Sequence, residues 1–369
     1  MATTNYGVNH PLAVKLWAKD LYHDVIGESF FGKFMGKGAD SLMQIKSETQ
    51  KQAGDSIKFG LRGLLTGDGK QGDDTLEGNE EALTTKNDTV LINQVRHAVR
   101  SAGEMSEQRV NFDVRDEAKD GLADWWKERL ETTLANQLTG NTAQSDTKFT
   151  GNNATIAPTA TYRILCGGST VAGAAAAEGS LSATTTHAIK LTDLDRAVAI
   201  AKSTQTSGAT TYQRIRPLSV DGKKMYVAFL HPWQIFQLRK DAGTAGNFFD
   251  IQKAAMQGGK YSENPIVNGG NFIYNNVIVH EWSYLPTIAG TPASGAAADY
   301  RRGVFCGAQA CAIAFGQNSA STKMSWDEEM FDYGNQLGVS AGMIYGVKKT
   351  VFDSVDFATI VLSGYAPAP

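Results

Sequence analysis

The sequence predicts an α+β protein, and three observations carry that expectation. There is one long helix-forming segment, one glycine-rich extended hairpin, and a last third dominated by apolar runs of strand length. At 369 residues the chain can bury a sizeable core spread over two or three lobes. It is 42% hydrophobic and 20% charged, the balance of a globular chain. Its net charge of -3 lacks the basic excess of a protein whose main task is coating nucleic acid, although a local basic face is compatible with it. The opening MATTNYGVNHPLAVKLWAKDLYHD has no basic region followed by an apolar core, so it does not read as a secretory signal. No window approaches the roughly 18 consecutive apolar residues of a membrane span.

Residues 1–53 read as an N-terminal arm with short helical pieces, clearest over 12–24. Phe30, Phe31 and Phe34 ask for a surface to cover them, and a partner subunit is the expected source. Next comes the most informative stretch, 54–103. Seven glycines fall between Gly54 and Gly78, and Asp68, Asp73, Asp74, Glu77, Glu80 and Glu81 crowd the middle. SIKFGLRGLL leads in and TVLINQVRHAV leads out, which makes a long antiparallel hairpin with a wide polar tip. A two-stranded hairpin is marginal in water on its own, so either its own chain or a neighbour covers it.

The segment 106–140 is the expected helix. Val110, Val114, Ala118, Leu122, Trp126, Leu130, Leu134 and Leu138 fall four apart, with Ser106 or Asp113 as cap and Gly140 as stop. Continuous, it would span about 50 Å, and its apolar row advances about 40° per step, winding around the rod. Such a rod suits a spine that touches different partners along its length. Residues 141–190 are rich in Thr, Ala, Gly and Ser and read as a surface crossing. A second helix is expected over 192–202. Then KMYVAFL runs as a strand into a helix after Pro232, and a further helix is expected over 248–256. Strands follow at NFIYNNVIVHEW, YRRGVFCGAQACAIAFG, GMIYGVKKTVF and FATIVLSGY.

The chemical motifs do not converge. Gly27, Gly32 and Lys33 have the spacing of a phosphate-binding loop, but Phe34 stands where Ser or Thr must hold magnesium. Gly67, Gly69 and Gly72 spell G-x-G-x-x-G, yet the acidic run after them would repel a pyrophosphate. That acidic run does not follow the EF-hand pattern, and reads as a solvated loop or one pairing with a neighbour's basic patch. Cys166, Cys306 and Cys311 read as buried free thiols, the last two on opposite faces if one strand holds both. His10, His23, His97, His187, His231 and His280 show no metal-ligand spacing, and His280 with Glu281 has no nucleophile motif beside it. Asp327, Glu328, Glu329 and Asp332 supply the carboxylates a hydrolase would need, on what reads as a solvated turn. No catalytic residue, cofactor or metal ligand is therefore assigned.

Arm, hairpin, spine helix, α/β lobe and closing strands, in that order, resemble the Hong Kong 97-like fold of tailed-phage coat proteins. Within that fold the sequence resembles the major capsid proteins typified by coliphage N-four. The carrying stretches are FGKFMG (31–36), GDGKQGDDTLEGNEEAL and INQVRHAV (67–99), MSEQR (105–109), DGKKMYVAFLHPWQ (221–234) and DIQKAAMQGG (250–259). NPIVNGG (264–270), NNVIVHE (275–281), FDYGNQLGV (331–339) and GVKK (346–349) complete them. The stretch around 170–187 departs from the family pattern and blurs the boundary between lobes.

The resemblance implies an icosahedral shell of hexamers and pentamers around double-stranded DNA, which is held on the inner face without sequence specificity. It implies an extended loop at 54–103 and a peripheral domain at 104–218 and 326–369, with an axial domain at 219–325. Assembly-interface candidates are Asp68, Asp73, Asp74, Glu77, Glu80, Glu81, Arg96, Arg109, Phe30 and Phe31. Scaffolding, portal and decoration proteins are the further partners implied. No membrane is involved; assembly is expected in the host bacterial cytoplasm, and the final location is the virion capsid. Two competing readings are an encapsulin-type compartment on the same fold and a carboxylate-dependent hydrolase.

Overall fold

In the computed structural model two β-sheets share one long helix. The structure describes Leu21, Asp24, Val25 and residues 29–46, 54–62, 69–82, 85–111, 113–167, 178–203, 205–207, 210–212, 214–220, 222–240, 272–288, 292–316 and 323–369. The expected helix at 248–256 lies outside these residues, as does most of the one at 12–24.

In chain order the main elements begin with β1 (Met43–Lys46), β2 (Ser56–Arg62), β3 (Thr85–Leu91), β4 (Asn93–Arg100), α1 (Val114–Thr139), β5 (Arg163–Leu165) and α2 (Leu191–Lys202). They continue with β6 (Lys223–Leu230), α3 (Pro232–Lys240), β7 (Phe272–Tyr274), β8 (Val277–Glu281) and β9 (Tyr300–Cys306). The chain closes with β10 (Cys311–Phe315), β11 (Met324–Phe331), β12 (Gln336–Lys349) and β13 (Thr359–Tyr365).

β12 is the axis of the first sheet. Along one edge it pairs antiparallel with β11 and then β10, and along the other with β4; β1 lies parallel beside β10. The second sheet runs β7-β8-β6-β9-β13-β5, and its β6–β8 and β13–β5 pairs are parallel. Its strands are nearly continuous apolar runs, as a sheet covered on both faces requires; five consecutive residues of β6, Tyr226 to Leu230, are buried. Residues 307–310 carry the chain from the second sheet to the first, and one core cluster spans both. The boundaries drawn from the sequence cut across these sheets. β13 joins the strands of the 223–306 region, whereas β10 pairs with β12.

α1 starts later than the four-residue spacing implied. Asp113, in extended conformation, accepts the Arg115 N–H at 2.8 Å and makes Val114 the first helical residue. Upstream, Glu104–Glu107 forms a separate turn, and Val110 is 39% exposed with no core to hold it helical. The rod is therefore 26 residues, about 39 Å, instead of about 50 Å. Asp116 and Glu117 in its first turn suit the positive end of the helix dipole. Gly140 ends it in the left-handed conformation (φ 62°), where a Cβ would collide with Ile156 O. The winding of the apolar row is real. Early turns bury one side through Ala118, Leu122 and Trp126, while Thr133 to Thr139 are buried all round.

Cys306 ends β9 and Cys311 begins β10, so they sit in different sheets and not on two faces of one strand. With Cys166 they are buried free thiols, and burial pushes the Cys311 thiol up to about 12.

Candidate functional site

The hairpin is built from β2 and β3, paired antiparallel from Ser56↔Leu91 to Arg62↔Thr85. The outgoing run, expected as one strand, is two. β3 ends at Leu91; the Ile92 N–H turns to Asp55 O at 2.9 Å, and β4 leaves the hairpin to become an edge of the first sheet. The two-stranded hairpin and the first sheet thus meet at one crossing point, the root of the hairpin.

The root is held by apolar, ionic and amide contacts of its own chain. Val90 and Ile57 are buried against Ala312 and Ala314 of β10, and the Phe59 ring meets Phe352 edge-on at 6.0 Å. Asp88, buried on β3, pairs with Lys348 and accepts the Val351 N–H at 3.1 Å, while Lys348 Nζ also donates to Thr89 O at 3.0 Å. Gly346 lies directly beneath Leu91, where a Cβ would strike the Leu91 carbonyl oxygen. Only glycine lets β3 cross β12 this closely. Asn153 then acts as a substitute strand partner: its Oδ1 accepts from Leu91 N at 2.9 Å and its Nδ2 donates to Leu91 O at 3.0 Å. Gln137 of α1 holds the Asn153 carbonyl at 2.6 Å, so the spine grips the hairpin through one asparagine.

The last turn of α1 is tied onward to the second sheet. Arg302 of β9 donates to Gly140 O at 3.1 Å, supplying a cation where the helix presents orphan carbonyls. The same guanidinium forks onto Glu178 at 2.7 and 2.6 Å, and Ser363 adds a third bond. Burial alone would raise the Glu178 pKa, but those hydrogen bonds and the Arg302 charge outweigh it and hold the carboxyl below its usual range. A second buried pair, Lys349–Asp356, closes at 2.6 Å on the other side of the crossing.

The tip is the opposite. Residues 69–82 are all exposed, including Asp73, Asp74, Glu77, Glu80 and Glu81; Asp68 lies outside the described residues. Arg96 projects from the exposed strand β4, and Arg109 follows the 104–107 turn. Both belong to the body, away from the tip's own run of sequence.

The cover that Phe30 and Phe31 ask for comes at least in part from their own chain. Phe31 is fully buried and meets Trp282 at 4.2 Å between centroids and Phe229 at 5.4 Å. Phe30 is half-buried, lies 5.8 Å from His280, and its backbone N–H is held by Glu131 of α1 at 3.0 Å. Strands hundreds of residues away supply the cover, which local sequence does not disclose. Burial in that nest, with the Lys33 charge nearby, lowers His280 to about 4, so it is a neutral packing group at neutral pH.

The carboxylates at 327–332 do not gather. Glu328 turns inward, where Arg115 forks onto it and Trp326 Nε1 donates at 2.7 Å. The Arg115–Glu328 hydrogen bond, and the Glu328 charge with it, outweigh burial and raise the Arg115 pKa. Asp327 and Glu329 point outward, as alternate residues of a strand must. Among the described residues no three His, Cys, Asp or Glu side chains come together to hold a metal ion.

The hairpin is thus firmly rooted and exposed at its tip, on a body whose buried ion pairs tie helix and strands together. Residues 5–368 match the family model described as phage capsid protein, and the chain belongs to that family. It is 29% identical over 362 residues to the major capsid protein of Pseudomonas phage KPP25, covering 92% of this chain and 90% of the relative. The capsid of Ralstonia phage GP4 superposes with a TM-score of 0.77 at 31% identity, covering 100% of this chain and 99% of that one. The capsid asymmetric unit of cyanophage Pam1 shares the fold with a TM-score of 0.72 at 21% identity, over 93% and 94% of the two chains. The chain is thus a structural phage coat protein of the Hong Kong 97-like fold, a virion component and not an enzyme. Neither the encapsulin-type compartment nor the hydrolase is supported.

Proposed function

We propose that this chain is the major head subunit, assembling into hexamers and pentamers of an icosahedral shell, and that the hairpin is its intersubunit clasp. One observation carries the clasp: the hairpin is anchored by buried ionic and apolar contacts at its root, yet residues 69–82 are all exposed. An exposed, charged, glycine-bearing arm on so rigid a base is shaped for a second copy. The N-terminal arm (1–53), extended loop (54–103), peripheral domain (104–218 and 326–369) and axial domain (219–325) follow by analogy with the fold, as does the closer kinship to the coliphage N-four type. Packaged double-stranded DNA lies against the inner face without sequence readout, by the same analogy. Assembly takes place in the host bacterial cytoplasm, with scaffolding, portal and decoration proteins as the further partners of such a shell.

The test is to replace residues 64–82 by a short glycine-serine linker in the full chain. A soluble monomer with near-normal helix content and no shells by negative-stain microscopy is expected. Shells of normal stability from that variant would overturn the clasp.

A further inference from the structure

A shallow groove lies between α1 and the short helix Thr147–Thr150, lined by Trp125, Glu128, Arg129, Thr132, Lys148 and Phe149. Nothing in the contacts described above uses it. Its room is about 60 Å³, far below the 300–1,000 Å³ of a small-molecule site, so it fits one side chain and not a cofactor. Its apolar walls are Trp125 and Phe149, both half-buried.

Trp125 is held in place: His97 of β4 stacks on it at 4.4 Å and 19°, Trp126 meets it edge-on at 5.1 Å, and the Arg129 guanidinium sits 5.3 Å from its ring. The rim is cationic on one side. Lys148 is exposed over Phe149, and half-buried Arg129, which also faces Tyr345, donates a long 3.4 Å bond to Thr147 O. Glu128, exposed on the same rim, repels a carboxylate and so directs an acidic visitor toward Arg129 and Lys148.

Of the exposed apolar residues flanked by acids among the described residues, Leu76 is the one that the hairpin tip carries. In the hairpin tip Leu76 is 61% exposed between Asp74 and Glu77. It is presented on a preformed turn: the Asn79 N–H donates to Leu76 O at 3.0 Å, Asn79 Nδ2 to Thr75 O at 3.1 Å, and Gly78 N to Glu80 Oε2 at 2.8 Å. A leucine already fixed outward needs little further ordering to dock, and flanking acids match flanking cations.

Building on the clasp reading, we infer that the groove seats Leu76 of a second copy between Trp125 and Phe149, with Arg129 and Lys148 receiving the carboxylates of Asp74 and Glu77. The receptor for the clasp is then the outer flank of the spine helix near its middle. Trp125 and Arg129 are residue types enriched at interface hot spots, and the anchor fills the pocket they frame.

The test is a cysteine pair, Leu76→Cys with Thr132→Cys, in the full chain. The three native thiols are buried, so mild oxidation reads the new pair. Shells should yield a ladder of disulfide-linked copies on a non-reducing gel, and neither single variant should. Normal shells without a ladder overturn the groove while leaving the clasp intact; normal shells from the 64–82 replacement overturn the clasp itself. If the cysteine pair blocks assembly, the charge swap decides. Lys148→Glu and Glu77→Lys should each raise the protein concentration needed for shells about tenfold, and the double variant should restore it. No restoration overturns the pairing.

Discussion

The two ends of one hairpin follow different physics. At the root, each polar group described above has a partner in its own chain, and Val90 is fully buried. At the tip, residues 69–82 form turns among themselves and no side chain among them is buried. The root resembles a domain core drawn out to the base of an arm, and the tip resembles half of an interface. On the clasp reading proposed above, rigidity and recognition fall to opposite ends of the same two strands: the root fixes where the arm points, and the tip meets the neighbour.

The difference can be broken by changing each end alone. The largest effect is the removal of residues 64–82, which should abolish shells and yet shift the unfolding free energy of the monomer by less than about 0.5 kcal/mol, measured by urea titration. A shift well above that would mean that the tip is part of the fold. Next, Asp88→Ala should destabilise the monomer by about 3 kcal/mol, because it leaves Lys348 mostly buried without a counter-charge and the Val351 N–H without an acceptor. A loss below about 1 kcal/mol would show that the root is less dependent on its ion pair than its geometry suggests.

Asn153→Ala should cost about 1–2 kcal/mol, since two backbone groups of Leu91 lose their partners. Hydrogen exchange should report it as faster exchange at Leu91, with the rest of the hairpin unchanged. The smallest effect on the monomer is reversal of a single tip charge, Asp74→Lys, which should leave its stability within about 0.5 kcal/mol and raise the shell-forming concentration about tenfold, as for Glu77→Lys. That shift should fade with added salt, because exposed charges are screened over about 10 Å at 0.1 M. Indifference to both charge and salt would leave the tip without an electrostatic role.

Much of the plan was legible where signals are local. Gly140 announces the end of the spine, and the acidic, glycine-bearing run at 69–82 announces an exposed loop. The start of α1 was ambiguous because Ser106 and Asp113 are both competent caps; the choice fell to Asp113 once Val110 found no core. The split of the outgoing run at Leu91 was invisible, since TVLINQVRHAV alternates well enough for one strand and the crossing depends on Gly346, 255 positions downstream of Leu91. For the same reason Phe31 read as a sticky surface: Phe229 and Trp282 reach it only through the fold. Buried partners such as Glu178 and Arg302 lie 124 residues apart, and no spacing rule connects them.

Arg302 has a mechanical consequence. The tip is continuous with Leu91, Leu91 is held by Asn153, Asn153 by Gln137, and the end of that helix by the arginine of the far sheet. A pull that reaches Leu91 therefore does not stop at the base of the arm. It runs along a line of hydrogen bonds through the spine and into the second sheet, so that tension between two copies loads both halves of each subunit at once.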